Sequence, residues 1–111
     1  MRNITISVKK IRHKELETLQ EELKEFIIHL NFQLKTDFLN AMISIDLSGK
    51  LFYKFRNKLE YQKEFYTISF SMSEAATILK CCNYANPDRS VYTRNVMTKF
   101  NLDLDQKLKS I

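Results

Sequence analysis

FLNAMISIDLSGKLFYKFRNKL, residues Phe38–Leu59, decides how the rest of the chain is read, because its apolar residues are too many and too widely spread for a surface element. The stretch reads as a central, buried helix. At about 100° per residue, Phe38, Leu39, Met42, Ile43, Ile45 and Leu47 cover one broad arc, and Leu51, Phe52, Phe55 and Leu59 fall mostly on the other side. The buried face is therefore expected to change over near Ser48-Gly49. A glycine inside a helix costs ~1 kcal/mol relative to alanine, so Gly49 marks a kink, a close helix contact or a break. A β-hairpin competes with the helix, since Ile43, Ile45 and Leu47 alternate with polar residues and Ser-Gly can turn before Lys50. The segment Ile45–Leu51 returns as Leu102-Asp-Leu-Asp-Gln-Lys-Leu108, where Gln106 stands in for Gly49 and no turn residue remains. That echo favours a helix, straight or kinked.

Outward from this stretch, NITISV (Asn3–Val8) alternates Ile4, Ile6 and Val8 against polar residues, the period of a half-buried strand. Lys9, Lys10, Arg12, His13 and Lys14 read as a basic connection to a long helix over about Lys14–Leu34. There Leu16, Leu19, Leu23, Phe26, Ile27, Leu30 and Leu34 recur at steps of three and four. Thr36 or Asp37 suits an N-cap for the central helix. A second strand, EFYTISFS (Glu64–Ser71), leads directly into another helix through Ser71 and Glu74, which have capping-box spacing. That helix is expected to end near Asn83. Asn86-Pro87 looks like the cap and first residue of a last helix running to about Lys109.

The order is strand, helix, helix, twice over. Thr5-Ile6-Ser7 matches Thr67-Ile68-Ser69, and the hydrophobic-Asp-Leu-x-x-Lys-Leu string sits in the second helix of each half. The strand anchors lie 62 positions apart (67 minus 5) and the helix anchors 57 (102 minus 45), so the second half is shorter, a loss assigned to its first helix. The expected fold is α+β and predominantly helical: one domain over 1–111, with a tandem repeat of 1–61 and 62–111. A pseudo-twofold sets the two strands antiparallel, with helices covering one face. Two strands alone are marginal in water and leave open edges, which points to a homodimer or a protein partner.

Composition agrees with this class. The chain is 44% apolar and 28% charged over 111 residues, and its single Gly and single Pro argue against a turn-rich β-sandwich or barrel. Adjacent Cys81 and Cys82 cannot easily close an unstrained disulfide, which suits a reducing, cytoplasmic setting. MRNITISVKK lacks the apolar core of a signal peptide, and no apolar run approaches the ~20 residues that span a bilayer. A formal charge of +5 suits nucleic acid, an acidic protein or an anionic surface.

Basic and aromatic residues interleave between Lys50 and Lys63, where Lys50, Lys54, Arg56, Lys58 and Lys63 with nearby tyrosines form the best nucleic-acid candidate. Lys50, Lys54 and Lys58 also fit a solvated helix stripe. Met72–Lys80 (MSEAATILK) followed by Ser90-Val-Tyr92 resembles the helix-turn-helix of excisionase-like DNA-binding proteins. The connection from Cys81 to Arg89 is longer than the tight, Gly-containing turn of that motif. The resemblance implies that Arg89, Tyr92, Thr93, Arg94 and Lys99 face a DNA groove. His13 and Glu17 lie one helical turn apart but have no second pair of metal ligands. Asp103 and Asp105 diverge on a helix, no Gly-rich phosphate loop exists, and no nucleophile–base set is visible. The expectation is a non-enzymatic interaction protein without cofactor, metal, small-molecule substrate or membrane contact. Nucleic-acid binding is the alternative.

Overall fold

The computed structural model describes residues 4–111. Its elements run β1 (Thr5–Arg12), α1 (His13–Gln33), α2 (Phe38–Leu59), β2 (Phe65–Ser71), α3 (Met72–Asn83) and α4 (Val91–Lys109). The fold is α+β, mostly helical, a strand-helix-helix unit built twice. β1 and β2 pair antiparallel. Ile6, Val8 and Ile11 on β1 and Tyr66, Ile68 and Phe70 on β2 are buried beneath the helices. Thr5, Thr67, Ser69 and Ser71 lie on the open face. That alternation lets a two-stranded ribbon bury one face completely.

The register locates the internal symmetry. Ser7 lies opposite Ser69, Ile6 opposite Phe70 and Val8 opposite Ile68, so a twofold through the Ser7–Ser69 pair exchanges the two Thr-Ile-Ser triplets. Their hydroxyls are 3.2 Å apart. The twofold extends to the helices. Lys54 on α2 donates its ammonium to the Ser69 carbonyl, and Lys107 on α4 donates to the Ser7 carbonyl. At each strand–helix junction the last strand amide donates to a glutamate three residues on, Arg12 to Glu15 at 2.9 Å and Ser71 to Glu74 at 2.8 Å. The repeated Asp-Leu-x-x-Lys-Leu string is not the structural match between α2 and α4. It aligns half-buried Ile45 with exposed Leu102, whereas the paired lysines align buried Leu51 with buried Leu104.

Two boundaries within the described residues differ from the sequence reading by more than one residue, the end of β1 and the start of α4. Asn3, the expected start of the first strand, lies outside the described residues. At its far end β1 does not give way to a basic connection at Lys9. A bulge between Val8 and Ile11 carries the strand on to Arg12, turns Ile11 inward against Tyr66 and places Lys10 at φ 57°. The three-residue step from Val8 to Ile11 breaks the period-2 pattern, so the continuation resembles a loop in sequence. α4 starts at Val91, capped by Ser90 Oγ, which accepts the Thr93 amide at 3.1 Å. Asn86 does not cap a helix; its side-chain oxygen accepts the Asp88 amide at 3.2 Å in a local turn around Pro87.

Arg89, expected at a DNA groove, is held within the fold instead, its side chain only 9% exposed. Its guanidinium donates to Glu22 on α1, to the Cys82 carbonyl at 3.0 Å and to the Cys81 carbonyl at 2.7 Å, and it stacks over Tyr84. It ties the carbonyl end of α3 and the following loop to α1, and it neutralises a glutamate on the core face of that helix. Replacing Glu22 by Ala leaves a buried guanidinium without its carboxylate and is expected to lower unfolding free energy by about 3 kcal/mol. Urea denaturation measures this, and the double variant Glu22→Leu/Arg89→Met should recover most of the loss.

Candidate interaction surface

α2 begins and ends where the sequence places it, but it is turned about its axis. Ala41, Ser44, Ser48, Leu51 and Phe55 form one continuous buried stripe with no changeover at Gly49. The large apolar residues of its first half face outward: Phe38 is 59% exposed, Leu39 73%, Met42 48% and Ile43 60%. The expectation of a buried central helix fails for this half. The reason lies in α1, whose Leu19, Leu23, Phe26 and Leu30 are all buried. With those side chains filling the core, the facing helix contributes small residues, and two serines go inside. Ser44 Oγ accepts a hydrogen bond from Lys80 on α3 at 3.2 Å, while buried Ser48 Oγ has no partner among the described residues. The steps of three and four through Ala41, Ser44, Ser48, Leu51 and Phe55 are a legible signal. It is hidden when only large apolar residues are counted.

Outward, Leu39, Met42, Asp46, Gly49, Tyr53 and Arg56 follow one another at the same steps and define a seam. A methyl group on Gly49 would meet nothing within 4 Å, so the chain's own packing does not call for glycine there. Phe32, 73% exposed, and Ile28 add apolar surface on α1 before the turn into α2.

The basic residues singled out in the sequence do not form one patch. Lys54 reaches inward to Ser69 and sits over the Phe70 ring, with Glu74 at 3.8 Å. Lys50 pairs with Asp46 at 3.0 Å. Arg56, Lys58 and Lys63 have no carboxylate partner among the described residues, and Asn57, Lys58, Tyr61 and Lys63 border a shallow pocket of about 270 Å³. Of the residues expected at a groove, Lys99 is held by Glu15 at 2.9 Å and Tyr92 lies under the Lys14 ammonium, while Thr93 donates its amide to the cap of α4. Arg94 alone among them is an exposed cation without a carboxylate among the described residues. The helix pair α3–α4 therefore does not present the set that the helix-turn-helix resemblance implies.

Among the cavities away from this seam are two set between elements of the fold. One, about 350 Å³, opens between the α1–α2 turn and the end of α3, where the tilted rings of His29 and Tyr84 meet with centres 4.9 Å apart beside Lys80, Asn40 and Asn83. The other, about 390 Å³, lies between β1 and α4. His13 stands near Glu17 at 3.5 Å and within 2.9 Å of the Tyr66 hydroxyl, and Asp103 and Asp105 pair with Lys107 and Lys109. Among the described residues no three His, Cys, Asp or Glu side chains gather as a metal site, and no helix is long and apolar enough to cross a membrane. Compared with protein-family models, with curated proteins and with solved structures, the chain matches none.

Cys81 and Cys82 are free and buried on the inner face of α3. Burial pushes the Cys82 thiol up from 9.0 to about 12, against the pull of Arg89; burial, together with Cys82 and Glu22, raises Cys81 as well. Both remain protonated thiols at neutral pH. A group raised on folding stabilises the fold below its unfolded value and loses that contribution as pH climbs, here between 9 and about 12. Neither thiol should react with Ellman's reagent at pH 8 in the folded protein, and both should react once urea unfolds it.

Proposed function

We propose that this protein is a non-catalytic interaction module that pairs with a second copy of itself through the outer face of α2. The observation that carries the reading is the reversed helix: serines and alanine inside, Phe38, Leu39, Met42 and Ile43 outside. Solvating large apolar residues on a regular helix while burying an unpartnered hydroxyl disfavours the isolated chain, and covering them reverses much of that. A mid-helix glycine facing open space fits close approach by a neighbouring helix. In an isologous pair with α2 antiparallel to its copy, Met42 meets Tyr53, Leu39 meets the stem of Arg56, and Gly49 meets Asp46 on either side of the crossing. The strand edges fit the role less well, because lysine ammoniums already occupy the Ser7 and Ser69 carbonyls, a common protection against strand addition.

Light scattering of the full chain should give a dimer mass from micromolar concentration upward. Leu39→Glu should weaken the dimer by about 2 kcal/mol or more, roughly thirtyfold, with unchanged helical circular dichroism. A monomer mass for the wild type throughout that range would overturn the reading.

Nucleic-acid binding is the second reading, favoured by the uncommitted cations Arg56, Lys58 and Lys63 beside exposed Tyr61. On this reading affinity for single-stranded RNA or DNA falls steeply with salt. Charge reversal at Lys58 and Lys63 then weakens binding equally on all sequences and flattens the salt slope by about one for each phosphate that is no longer neutralised. Lys54 is left out of the test because its ammonium is held within the fold. Absence of any salt-dependent shift in a gel or anisotropy titration removes this alternative.

A further inference from the structure

The cavity between β1 and α4 lies where the two halves of the repeat differ. The residue after each Thr-Ile-Ser triplet is Val8 in β1 and Phe70 in β2. In the second half the Phe70 ring is buried, edge-on to Phe55 at 6.0 Å, with the Lys54 ammonium 5.3 Å from its centre. In the first half the corresponding lysine, Lys107, and Val8 both line the cavity. The bulge that follows Val8 holds Lys10 in a left-handed conformation that costs a residue with a Cβ roughly 1–2 kcal/mol. The strand-to-helix junction does not require it, since β2 makes the same bond from its last amide to a glutamate three residues on without a bulge. Backbone strain and bulges of this kind collect at binding sites.

The cavity, about 390 Å³, is within the range of small-molecule sites and has Val8, Ile11 and Phe100 as its apolar floor. Three lysines, Lys9, Lys99 and Lys107, and two carboxylates, Glu15 and Asp103, stand around it. Lys107 is engaged by Asp103 at 3.1 Å and Lys99 by Glu15 at 2.9 Å, while Lys9 is exposed and has no carboxylate partner among the described residues.

We propose that this cavity binds a small amphipathic carboxylate, its ring or short acyl chain occupying the space that the Phe70 side chain fills in the other half and its head group on Lys9. The proposal is independent of self-association through α2, which uses none of the residues that line the cavity. Octanoate titrated into isotope-labelled full-length protein should shift the NMR signals of Val8, Ile11 and Phe100 saturably, and octylamine and octanol should bind at least about tenfold more weakly. Val8→Phe, which copies the other half, should abolish those shifts while raising thermal stability by filling the void. Lys9→Glu, at an exposed position that leaves folding unaffected, should weaken octanoate about tenfold and is the deciding variant if Val8→Phe does not fold. Octanoate shifts confined to other residues, equal binding of octanoate and octanol, or octanoate affinity unchanged by Lys9→Glu would each overturn the proposal.

Discussion

A ribbon of two strands has one face to bury and two edges to protect, and the pairing of Ser7 with Ser69 at its centre sets how both are done. Each strand receives a lysine from the second helix of the opposite half: Lys54 on α2 serves β2, and Lys107 on α4 serves β1. Each strand–helix junction is likewise braced across the halves, Glu15 by Lys99 and Glu74 by Lys54. The two units are thus interleaved, and their apolar faces meet in one cluster that runs from Ile6 to Leu104. A half taken alone would expose both its strand edge and the helix face that the other half covers.

Much of this is legible in the sequence because it rests on long, regular patterns. α1 and α2 have over five turns of spacing, β2 alternates cleanly, and the Ser71–Glu74 box is a local signal with a local structure. The failures come from places where a distant residue decides a local choice. Ala41, Ser44 and Ser48 face inward because α1 has already filled the core, a fact absent from the sequence of α2 itself. Arg89 looks like a groove cation until Glu22, far away in the chain, claims it. Lys9 to Arg12 look like a connection because a single extra residue resets the strand's phase.

The Asp-Leu-x-x-Lys-Leu echo shows a subtler failure. It leads to the right architecture, two helices in equivalent places, through the wrong pairing of residues. Composition favours such strings in Leu- and Lys-rich helices, so their recurrence carries little positional information. Buried packing carries more: the lysines that reach Ser69 and Ser7 align Leu51 with Leu104, both fully buried.

That alignment also separates what the fold needs from what it does not. α2 and α4 do the same structural work, covering the ribbon and sending a lysine to an edge carbonyl. On α4 the outward residues are mostly polar, Arg94, Asn95, Thr98 and Gln106 among them, with exposed Val91 and Tyr92 at its start and Leu102 standing alone. On α2 they include Leu39, Met42 and Ile43. Covering the ribbon does not demand the concentration seen on α2, where Phe38, Leu39, Met42 and Ile43 are all exposed within two turns. The same comparison applies to the strands, where β2 packs a phenylalanine and runs straight into its helix while β1 keeps a valine, a strained lysine and a void. Where a duplicated fold departs from its own symmetry at a cost in stability, packing alone does not explain the departure. Those departures, one on the outside of α2 and one between β1 and α4, are where binding has the strongest physical grounds.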